Sequence, residues 1–537
     1  MTKLLPGDVG GLKGTADGRD KGLKRGAIGL VGSVVVGVAS TAPAYSLAAS
    51  LGWIVVGGAS PAGVKAPAMI LLAFLPMYFI AQAYKELNTV DPDCGTTFSW
   101  ATRAFGAITG WMGGWGIIIA DVIVMSNLAY IAGQYTFTFV GGFGLPAVAA
   151  LAGNIWASTA VGLIWIAVMT YICYRGIEIS ARLQYFLLGF EVVLLILFGV
   201  LALGRVATGN GEPYSIGFDW SWLSPTGLDF GAAICPALLT AIFLYWGWDS
   251  AVSINEETKD PGRTPGRAAI LSTVLLLATY LLITIAAVSF AGVGDKGIGL
   301  ANPANSGDVF SSMAPAVFGN GVIGHILQVL FAATILTSAS ASTQTTILPT
   351  ARTSLSMAAH KALPSHFARI HPKYLTPTWS TIGMGIASAG LFLLFSLISQ
   401  GLLAALIASL GLMIAFYYGL TGLACVWFYR RVLFTSVRNF VFKGLIPFAG
   451  AVFLAVVFVY GLISFAAPDW VQDPITGKNV TIFGVGATAI VGVVGILIGF
   501  VFMGIWWSRN ASYFRGEVIP RAPYIEGQAV QGAPPVI

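Results

Sequence analysis

Long apolar runs separated by short polar segments dominate the sequence. A membrane-spanning helix needs about 20 predominantly apolar residues, and twelve runs are long enough. They are predicted at residues 27–52, 62–84, 107–139, 156–174, 177–204, 231–255, 267–293, 321–348, 378–397, 403–429, 445–468 and 482–507. The pattern predicts an all-α polytopic membrane protein with 12 transmembrane helices.

The composition excludes several other classes of protein. Of the 537 residues, 56% are hydrophobic and 9% are charged, whereas soluble proteins have about 25% charged residues. The net charge of +6 lies on tails and loops, so nucleic acid is not an expected partner. The four cysteines and four histidines show no metal-ligand or disulfide spacing, so we expect neither a metal site nor a cofactor.

Basic residues set the expected orientation in the membrane, because cytoplasmic loops are enriched in Lys and Arg. With the N-terminus in the cytoplasm, the external Lys and Arg residues are Lys65, Arg205, Lys296 and Lys478. We therefore expect cytoplasmic tails at 1–26 and 508–537. The first run is too long for a cleavable signal peptide, and the short loops favour a bacterial cytoplasmic membrane.

Two of the runs contain residues that interrupt a helix. The first carries Gly37 and Pro43 near its middle, and proline removes a backbone donor. The sixth combines Gly247 with aromatic residues and the carboxylate of Asp249. Non-helical backbone at membrane depth is tolerated where it lines a cavity or is buried in protein. Interruptions at matching places in two five-helix halves indicate a transporter's substrate site, and ordinary kinks in packed helices are the alternative.

Three acidic residues, Asp121, Glu191 and Asp249, lie inside apolar runs. Each charge near a helix centre costs about 2.5–3.5 kcal/mol, so such residues face a cavity or a partner. Because no Lys or Arg lies deep in a run, the acids favour proton binding or a cationic ligand. Hydrogen bonds from protonated acids to nearby Ser or Thr are the alternative.

The eighth run is rich in hydroxyl groups. Small hydroxyl residues commonly serve the packing of membrane helices. Oxygen atoms are also the ligands of small hard cations, so Ser338 and Ser342 form a possible cation site, for example for Na⁺.

Three blocks of sequence resemble the amino acid–polyamine–organocation superfamily of permeases. Residues 246–265 carry its sixth-helix signature, which is Trp-Gly-Trp-Asp, then a pair of Glu residues, then a turn with Pro and Arg. Residues 85–115 and 351–377 match two further blocks in the expected order. The resemblance implies a LeuT-type fold, with inverted five-helix repeats at 27–204 and 231–429 and two additional helices at 445–507.

The resemblance also implies where a substrate would bind. Backbone amides at the first-helix break would hold a carboxylate, and carbonyls at the sixth-helix break would hold an amine. The aromatic side chains would cover the substrate or attract an ammonium group. Carried onto this chain, the substrate-binding positions are Gly37, Ser40, Thr41, Ala42, Phe243, Tyr245, Trp246, Trp248 and Asp249.

Two departures from the family pattern affect this site. Thr41-Ala42-Pro43 stands where amino acid permeases have Gly-Ser-Gly, and Pro43 offers no amide to a carboxylate. Glu191 stands where proton-coupled relatives have a lysine, so Glu191 would carry the proton itself or help to hold a cation. Asp249 and Asp121 are the further candidates for proton coupling.

Charged residues at the cytoplasmic end predict an inner gate. Glu256 and Glu257 follow the sixth run, and we expect them to pair with Arg103 or Arg352 in the outward-facing state. Solvated loop acids are the alternative interpretation.

The sequence therefore predicts a secondary active transporter in the lipid bilayer rather than an enzyme. The leading hypothesis is proton-coupled import of an amino acid by alternating access around broken helices 1 and 6. A carrier of polyamines or organic amines is the alternative, and sodium coupling or exchange would suit either substrate. A sensor is expected to carry a signalling domain, for which the predicted tails are too short, and a channel is expected to show a filter-like repeated loop.

Overall fold

The computed structural model describes residues 20–57, 60–305, 307–473, 477–519 and 521. Within these residues, 12 helices are long and apolar enough to cross a membrane, which confirms the predicted number. Spans 1 to 12 are Leu30–Val56, Gly63–Val90, Ala107–Gly141, Ile155–Arg175, Ile177–Ala207, Phe230–Ser253, Thr264–Ala291, Val322–Ala359, Thr378–Ile398, Ala405–Tyr429, Val437–Phe465 and Ala487–Arg509. Most of the two predicted tails, 1–19, 520 and 522–537, lies outside the described residues.

Span 1 is interrupted at Thr41 and Ala42, between the half-helices Leu30–Ser40 and Pro43–Val56. Ala42 has a φ of 47°, in the left-handed region that non-glycine residues adopt only at a cost. Pro43 begins the second half-helix, where its missing N–H leaves no helical hydrogen bond unmade. The predicted break is therefore present, and its position follows from the proline.

Span 6 is interrupted over residues 246–249, between the half-helix Cys235–Tyr245 and the single turn Ser250–Ser253. Gly247 has a φ of 119°, and a Cβ atom there would lie 2.7 Å from the carbonyl oxygen of Ser40. A glycine is thus required where the backbones of the two breaks approach each other.

The remaining helical segments either connect the spans or form parts of spans 2, 6, 10 and 11. The α-helical segments are Thr97–Phe105, Pro146–Ala149, Val309–Phe318, Gln400–Ala408, Leu410–Tyr429, Val437–Asn439 and Ile446–Phe465. The 3₁₀ segments are Gly63–Lys65, Ala150–Gly153, Trp220–Leu223, Asn255–Glu257, Ser365–Ala368 and Leu433–Thr435, and the π-helical segments are Phe230–Ile234 and Phe440–Leu445. Strands Thr481–Ile482 and Val485–Gly486 form an antiparallel hairpin, with Thr481 paired to Gly486.

Span 8 is longer than its apolar run predicts, since it ends at Ala359 rather than at 348. The added turns contain Pro349 and the charged Arg352, which end an apolar run in the sequence. In the fold these turns are buried, and Arg352 has an acidic partner. A buried ion pair therefore extends a helix that hydropathy alone would stop.

The interrupted spans lie at the centre of the bundle. Spans 1 and 3 are the most buried, while spans 4, 11 and 12 are mostly exposed on the outside. The second half of span 1 packs against the first half of span 6, and the first half of span 1 packs against span 7. Spans 3 and 8 form the most extensive helix pair, and span 8 packs against both halves of span 1 and against the turn Ser250–Ser253 of span 6.

Candidate functional site

A small polar cavity lies between the two helix interruptions. Its volume is about 20 Å³, which is room for about one water molecule. A larger substrate therefore requires its walls to move apart. The lining residues come from spans 1, 3, 6 and 8 and are Ser40, Thr41, Ala42, Tyr45, Ser46, Asp121, Val124, Leu128, Phe243, Trp246, Gly247, Asp249, Ser250, Ser342 and Thr346.

Hydroxyl groups join the two breaks to each other and to their neighbours. The hydroxyls of Ser40 and Ser250 are 2.8 Å apart, and Ser342 donates to the carbonyl of Ser40 at 2.8 Å. Tyr280 of span 7 donates to Leu244 O at 2.6 Å and lies 3.2 Å from the hydroxyl of Thr41. These contacts satisfy polar groups that an interrupted helix leaves without helical partners.

The structure places most, but not all, of the predicted substrate-binding residues in the cavity wall. The lining includes Ser40, Thr41, Ala42, Phe243, Trp246 and Asp249. Three other predicted positions face elsewhere, each because of its packing. Gly37 lies against Ser272 and span 6, Tyr245 donates to Ile70 O at 3.1 Å, and Trp248 packs edge-on against Tyr84. These three residues pack near the breaks but outside the cavity wall.

Asp249 accepts hydrogen bonds from two adjacent tyrosines of span 10. Tyr418 donates to Oδ1 at 2.9 Å and Tyr417 donates to Oδ2 at 3.2 Å. The hydroxyl of Tyr417 also accepts from the indole N–H of Trp246. Sequence analysis did not identify this tyrosine pair, although two neighbouring phenols inside an apolar run were an available signal.

Asp121 faces the same cavity from span 3. Its Oδ2 accepts from the hydroxyl of Thr350 at 2.6 Å. The lining residues include no Lys, Arg or His, so Asp121 and Asp249 have hydroxyl partners and no basic one in the cavity wall. Such an arrangement suits a cation or a proton.

Glu191 lies behind the first break rather than in the cavity wall. Its Oε1 accepts from the backbone N–H of Ala44 at 2.7 Å and from the hydroxyl of Ser338 at 2.8 Å. Its side chain is fully buried, and among the described residues Oε2 has no hydrogen-bond partner. The carboxylate therefore sits at the N-terminal end of the half-helix Pro43–Val56.

The backbone amides expected to be free at the first break are occupied. Thr41 N donates to Val38 O at 3.1 Å and Ala42 N donates to Ala39 O at 3.2 Å, since the last turn of the first half-helix tightens. In this conformation these amides are therefore not open to a carboxylate, and their role in substrate binding stays a prediction.

The two serines proposed as a cation site make other contacts. Ser338 accepts from Tyr45 N at 3.2 Å while donating to Glu191, and Ser342 donates to Ser40 O. Both hydroxyls therefore tie span 8 to span 1.

Charged residues close the side of the protein on which span 1 begins. Arg352 and Glu257 form a bidentate ion pair, with Nε–Oε2 at 2.9 Å and Nη2–Oε1 at 3.0 Å. Both side chains are 0% exposed. Of the predicted gate pairings, this one is present.

The prediction named Arg103 or Arg352, and among the described residues Arg103 has a different acidic partner. It binds Asp91 at 2.6 Å, and Asp91 is the residue directly after span 2, in the segment that leads to the short helix Thr97–Phe105 carrying Arg103. Glu256 is instead bound by Lys21, which also donates to Asp93 Oδ2 at 2.9 Å. We call Lys21, Asp93 and Glu256 the Lys21 cluster.

The Lys21 cluster has perturbed pKa values. Burial opposes the charge of Lys21, but the carboxylates of Asp93 and Glu256 outweigh it and raise the pKa of Lys21 well above its usual value. Burial would raise the pKa of Asp93, yet Lys21 and His360 hold it well below its usual range. Burial raises the pKa of Glu256 despite Lys21. The lone ammonium thus keeps Asp93 charged and leaves Glu256 the easier acid to protonate.

Residues 20–28, which we call the N-terminal strap, connect the Lys21 cluster to span 1. Ile28 N donates to Glu257 O at 3.1 Å, and Lys259 N donates to Ile28 O at 2.9 Å. The strap is thereby paired to the chain that follows span 6. Sequence analysis used the basic residues of this segment for orientation and did not identify the role of Lys21.

Comparison with known proteins identifies the family of the chain. The model of the family described as "Amino acid permease" matches residues 26–469. A methylthioribose transporter of Bacillus subtilis is 26% identical over 63% of this chain and 70% of its own length. The branched-chain amino acid permease BcaP of that organism is 26% identical over 67% of this chain and 73% of its own length. The glutamate/serine transporter AimA of the same organism is 25% identical over 81% of this chain and 77% of its own length.

A solved structure shares the fold. The crystal structure of MhsT in complex with L-phenylalanine superimposes with a TM-score of 0.58 at 15% identity, covering 80% of this chain and 98% of MhsT. The fold is accordingly the predicted LeuT-type fold with 12 membrane spans. The chain belongs to the amino acid permease family and is a multi-pass membrane transporter, not an enzyme.

Proposed function

We propose that this protein is a proton-coupled secondary transporter that imports a small amino compound by alternating access around the breaks of spans 1 and 6. The observation that carries the proposal is the cavity between the two breaks, with Asp249 and Asp121 in its wall and no basic residue among those that line it. The breaks supply backbone groups for binding, and the acids supply sites for a proton or an amine.

Support for proton coupling comes from the partners of the acids. Asp249 contacts the phenols of Tyr417 and Tyr418, and Asp121 contacts the hydroxyl of Thr350. A hydroxyl can rotate to accept a hydrogen bond from a protonated acid or donate one to a carboxylate. Each acid can therefore gain or lose a proton without losing its hydrogen bond, which a lysine or arginine partner would not allow.

Support for alternating access comes from the charged residues that close one side of the protein. On the side where span 1 begins, the Arg352–Glu257 pair and the Lys21 cluster hold four chain segments together. We propose that this side is cytoplasmic, because the Lys and Arg residues concentrate there. Both termini are then cytoplasmic, in a cell membrane of bacterial type.

The family and the named relatives support an amino acid as the cargo. An organic amine is a second candidate, and the contact between Glu191 and Ala44 N favours it, because this contact fills a place expected to bind a carboxylate. One relative is named a methylthioribose transporter, so the cargo named for these relatives is not confined to amino acids.

Uptake into proteoliposomes tests the proposal. Radiolabelled neutral, cationic and acidic amino acids and putrescine are offered with an inward proton gradient, without one, and with a sodium gradient. We expect uptake that rises with the proton gradient and is insensitive to sodium. Uptake that follows sodium alone would overturn proton coupling, and no uptake of any compound would overturn the proposed function.

The variant Asp249→Asn tests the role of the cavity acid. It should lower uptake at least tenfold while the protein remains inserted and elutes as a single species, because an amide cannot carry the proton or balance an ammonium group. Asp295→Asn, the same change on an exposed loop, is the matched control. Equal uptake by the two variants would remove Asp249 from the mechanism.

A further inference from the structure

We propose that Glu191 is a built-in carboxylate that occupies the anion-binding end of the half-helix Pro43–Val56 and makes the site select amines over the corresponding amino acids. The inference rests on the proposed function and names the substrate class of that site. Glu191 is here a specificity-determining residue that acts through span 1 and does not itself line the cavity.

The N-terminal end of this half-helix is where an anion would bind. The half-helix has 14 residues, and unpaired N–H groups and the helix dipole favour negative charge at its start. Its first residue, Pro43, has no N–H. Ala44 N and Tyr45 N are the next donors, and they are bound by Glu191 and Ser338.

The neighbouring donors of the break are used as well. Thr41 N and Ala42 N bond within the last turn of the first half-helix, and Ser46 N donates to Ala42 O at 2.8 Å. From Thr41 to Ser46, every backbone N–H that exists has an acceptor within the protein. A substrate carboxylate would have to displace one of these acceptors.

Glu191 is well placed to resist such displacement. It is fully buried, accepts from Ala44 N at 2.7 Å and is held in addition by Ser338 at 2.8 Å. The titratable group that interacts with it is the phenol of Tyr280, from span 7, which lies 3.2 Å from the hydroxyl of Thr41. Within the part of the chain that the structure describes, Oε2 of Glu191 has no hydrogen-bond partner.

The charge of the cavity points to the same substrate class. A carboxylate entering the cavity would meet Asp121 and Asp249 and no basic residue of the lining. An ammonium group would meet these acids together with the aromatic ring of Trp246. An amine without a carboxylate therefore fits both the occupied amides and the acidic wall.

Matched substrate pairs test the inference without knowledge of the natural cargo. Each pair is an amino acid and its decarboxylated amine: ornithine with putrescine, and valine with isobutylamine. Binding of all four compounds to the purified full-length protein is measured by isothermal titration calorimetry for the wild type, Glu191→Ala and Glu191→Gln. Glu212→Ala, on a loop remote from both breaks, is the matched control.

For the wild type, we expect at least tenfold tighter binding of the amine than of the amino acid in at least one pair. Glu191→Ala frees Ala44 N and should tighten amino acid binding, so that the preference falls at least tenfold. Glu191→Gln keeps an acceptor on Ala44 N through its side-chain carbonyl and should still exclude the amino acid. A gain of amino acid binding cannot result from misfolding. If the alanine variant is unstable, the binding of the four compounds to Glu191→Gln still tests the inference.

Three results would overturn the inference. The first is a wild type that prefers the amine at least tenfold in neither pair. The second is an unchanged preference in Glu191→Ala when that variant is folded, and the third is a gain of amino acid binding in Glu191→Gln. Proton-driven uptake together with any of these results would leave the proposed function standing, whereas the absence of binding and uptake for all four compounds would remove both.

Discussion

Single residues in the cavity wall owe their properties to neighbours that are distant in the sequence. Asp249 belongs to span 6, yet its two phenolic partners belong to span 10. The sequence identified Asp249 because a carboxylate is unusual in an apolar run. It did not identify Tyr417 and Tyr418, because tyrosine is common in membrane helices and only the fold shows which acid they reach.

Replacing Tyr418 by Phe should reduce transport. The change removes the 2.9 Å hydrogen bond to Asp249 while keeping the ring that packs against Trp248. A hydrogen bond to a charged group contributes about 1.5–3 kcal/mol, which corresponds to a fall of about tenfold or more in uptake rate. Initial rates in proteoliposomes measure this, with Tyr214→Phe on an exposed loop as the control. Equal rates for the two variants would contradict a role for the phenol.

The amides of the first break show the opposite case, in which residue types did not determine which amides are free. The departure at Pro43 was visible in the sequence, and it correctly drew attention to the missing donor. That Thr41 N and Ala42 N are bound by the tightened last turn depends on backbone angles, which residue types do not determine alone.

At the scale of elements, hydropathy predicted the number of spans, and glycine and proline within two apolar runs predicted both interruptions. Hydropathy misplaced ends where polar residues are buried, as in span 8 beyond Pro349. It also could not predict that the strap lies against the end of span 6, because this contact depends on Lys21 and on backbone pairing at Ile28. Neither feature has an apolar pattern.

The strap provides a prediction about closure. Lys21→Met removes a buried cation shared by Asp93 and Glu256 and leaves their charges unpaired, which should destabilise the protein by about 3–5 kcal/mol. Thermal unfolding measures the loss. The labelling rate of Cys94 by maleimide should rise as well, since this buried thiol lies next to the cluster.

Lys24→Met is the matched control for this experiment. Lys24 pairs with Glu178, but both side chains are more than 40% exposed, at 44% and 42%. Such surface pairs contribute about 0–1 kcal/mol, so the control should change little. If the two variants lose the same stability and label at the same rate, the strap does not hold this side closed.

At the scale of the whole molecule, the fold brings together charges from segments that are far apart in sequence. The Lys21 cluster joins the strap, the segment between spans 2 and 3, and the segment after span 6. The Arg352–Glu257 pair adds the end of span 8. Sequence analysis predicted one of these pairings from the charged residues that follow the sixth run, while the others depend on three-dimensional proximity.

The pKa shifts of the cluster predict an order of events on acidification. The lowered pKa of Asp93 gives stability that is present above its unfolded value of about 3.9 and is lost as the pH falls through the lowered value. The raised pKa of Lys21 gives stability that is present below about 10.4 and is lost as the pH rises through the raised value. The Lys21–Asp93 bridge should therefore persist between about pH 5 and 10.

The raised pKa of Glu256 affects stability in the opposite direction from the lowered pKa of Asp93. Burial favours the protonated form of Glu256 more than the unfolded chain does, so its bridge to Lys21 weakens first as the pH falls. Unfolding temperatures against pH should show Glu256→Gln converging with the wild type in mild acid, while Asp93→Asn stays less stable. If Asp93→Asn instead converged with the wild type at a higher pH than Glu256→Gln does, Asp93 rather than Glu256 would be the acid that is protonated first.

The backbone pairing at Ile28 has a practical consequence for anyone who builds tools from this transporter. Because backbone hydrogen bonds at Ile28 join the strap to the chain after span 6, we expect these two segments to move together if the side on which span 1 begins opens. A fluorophore on the strap and another on the segment between spans 2 and 3 would separate during each transport cycle and report it optically. A bulky fusion partner attached close to Asp20 would instead hinder this movement, so purification tags are better placed at the other end of the chain.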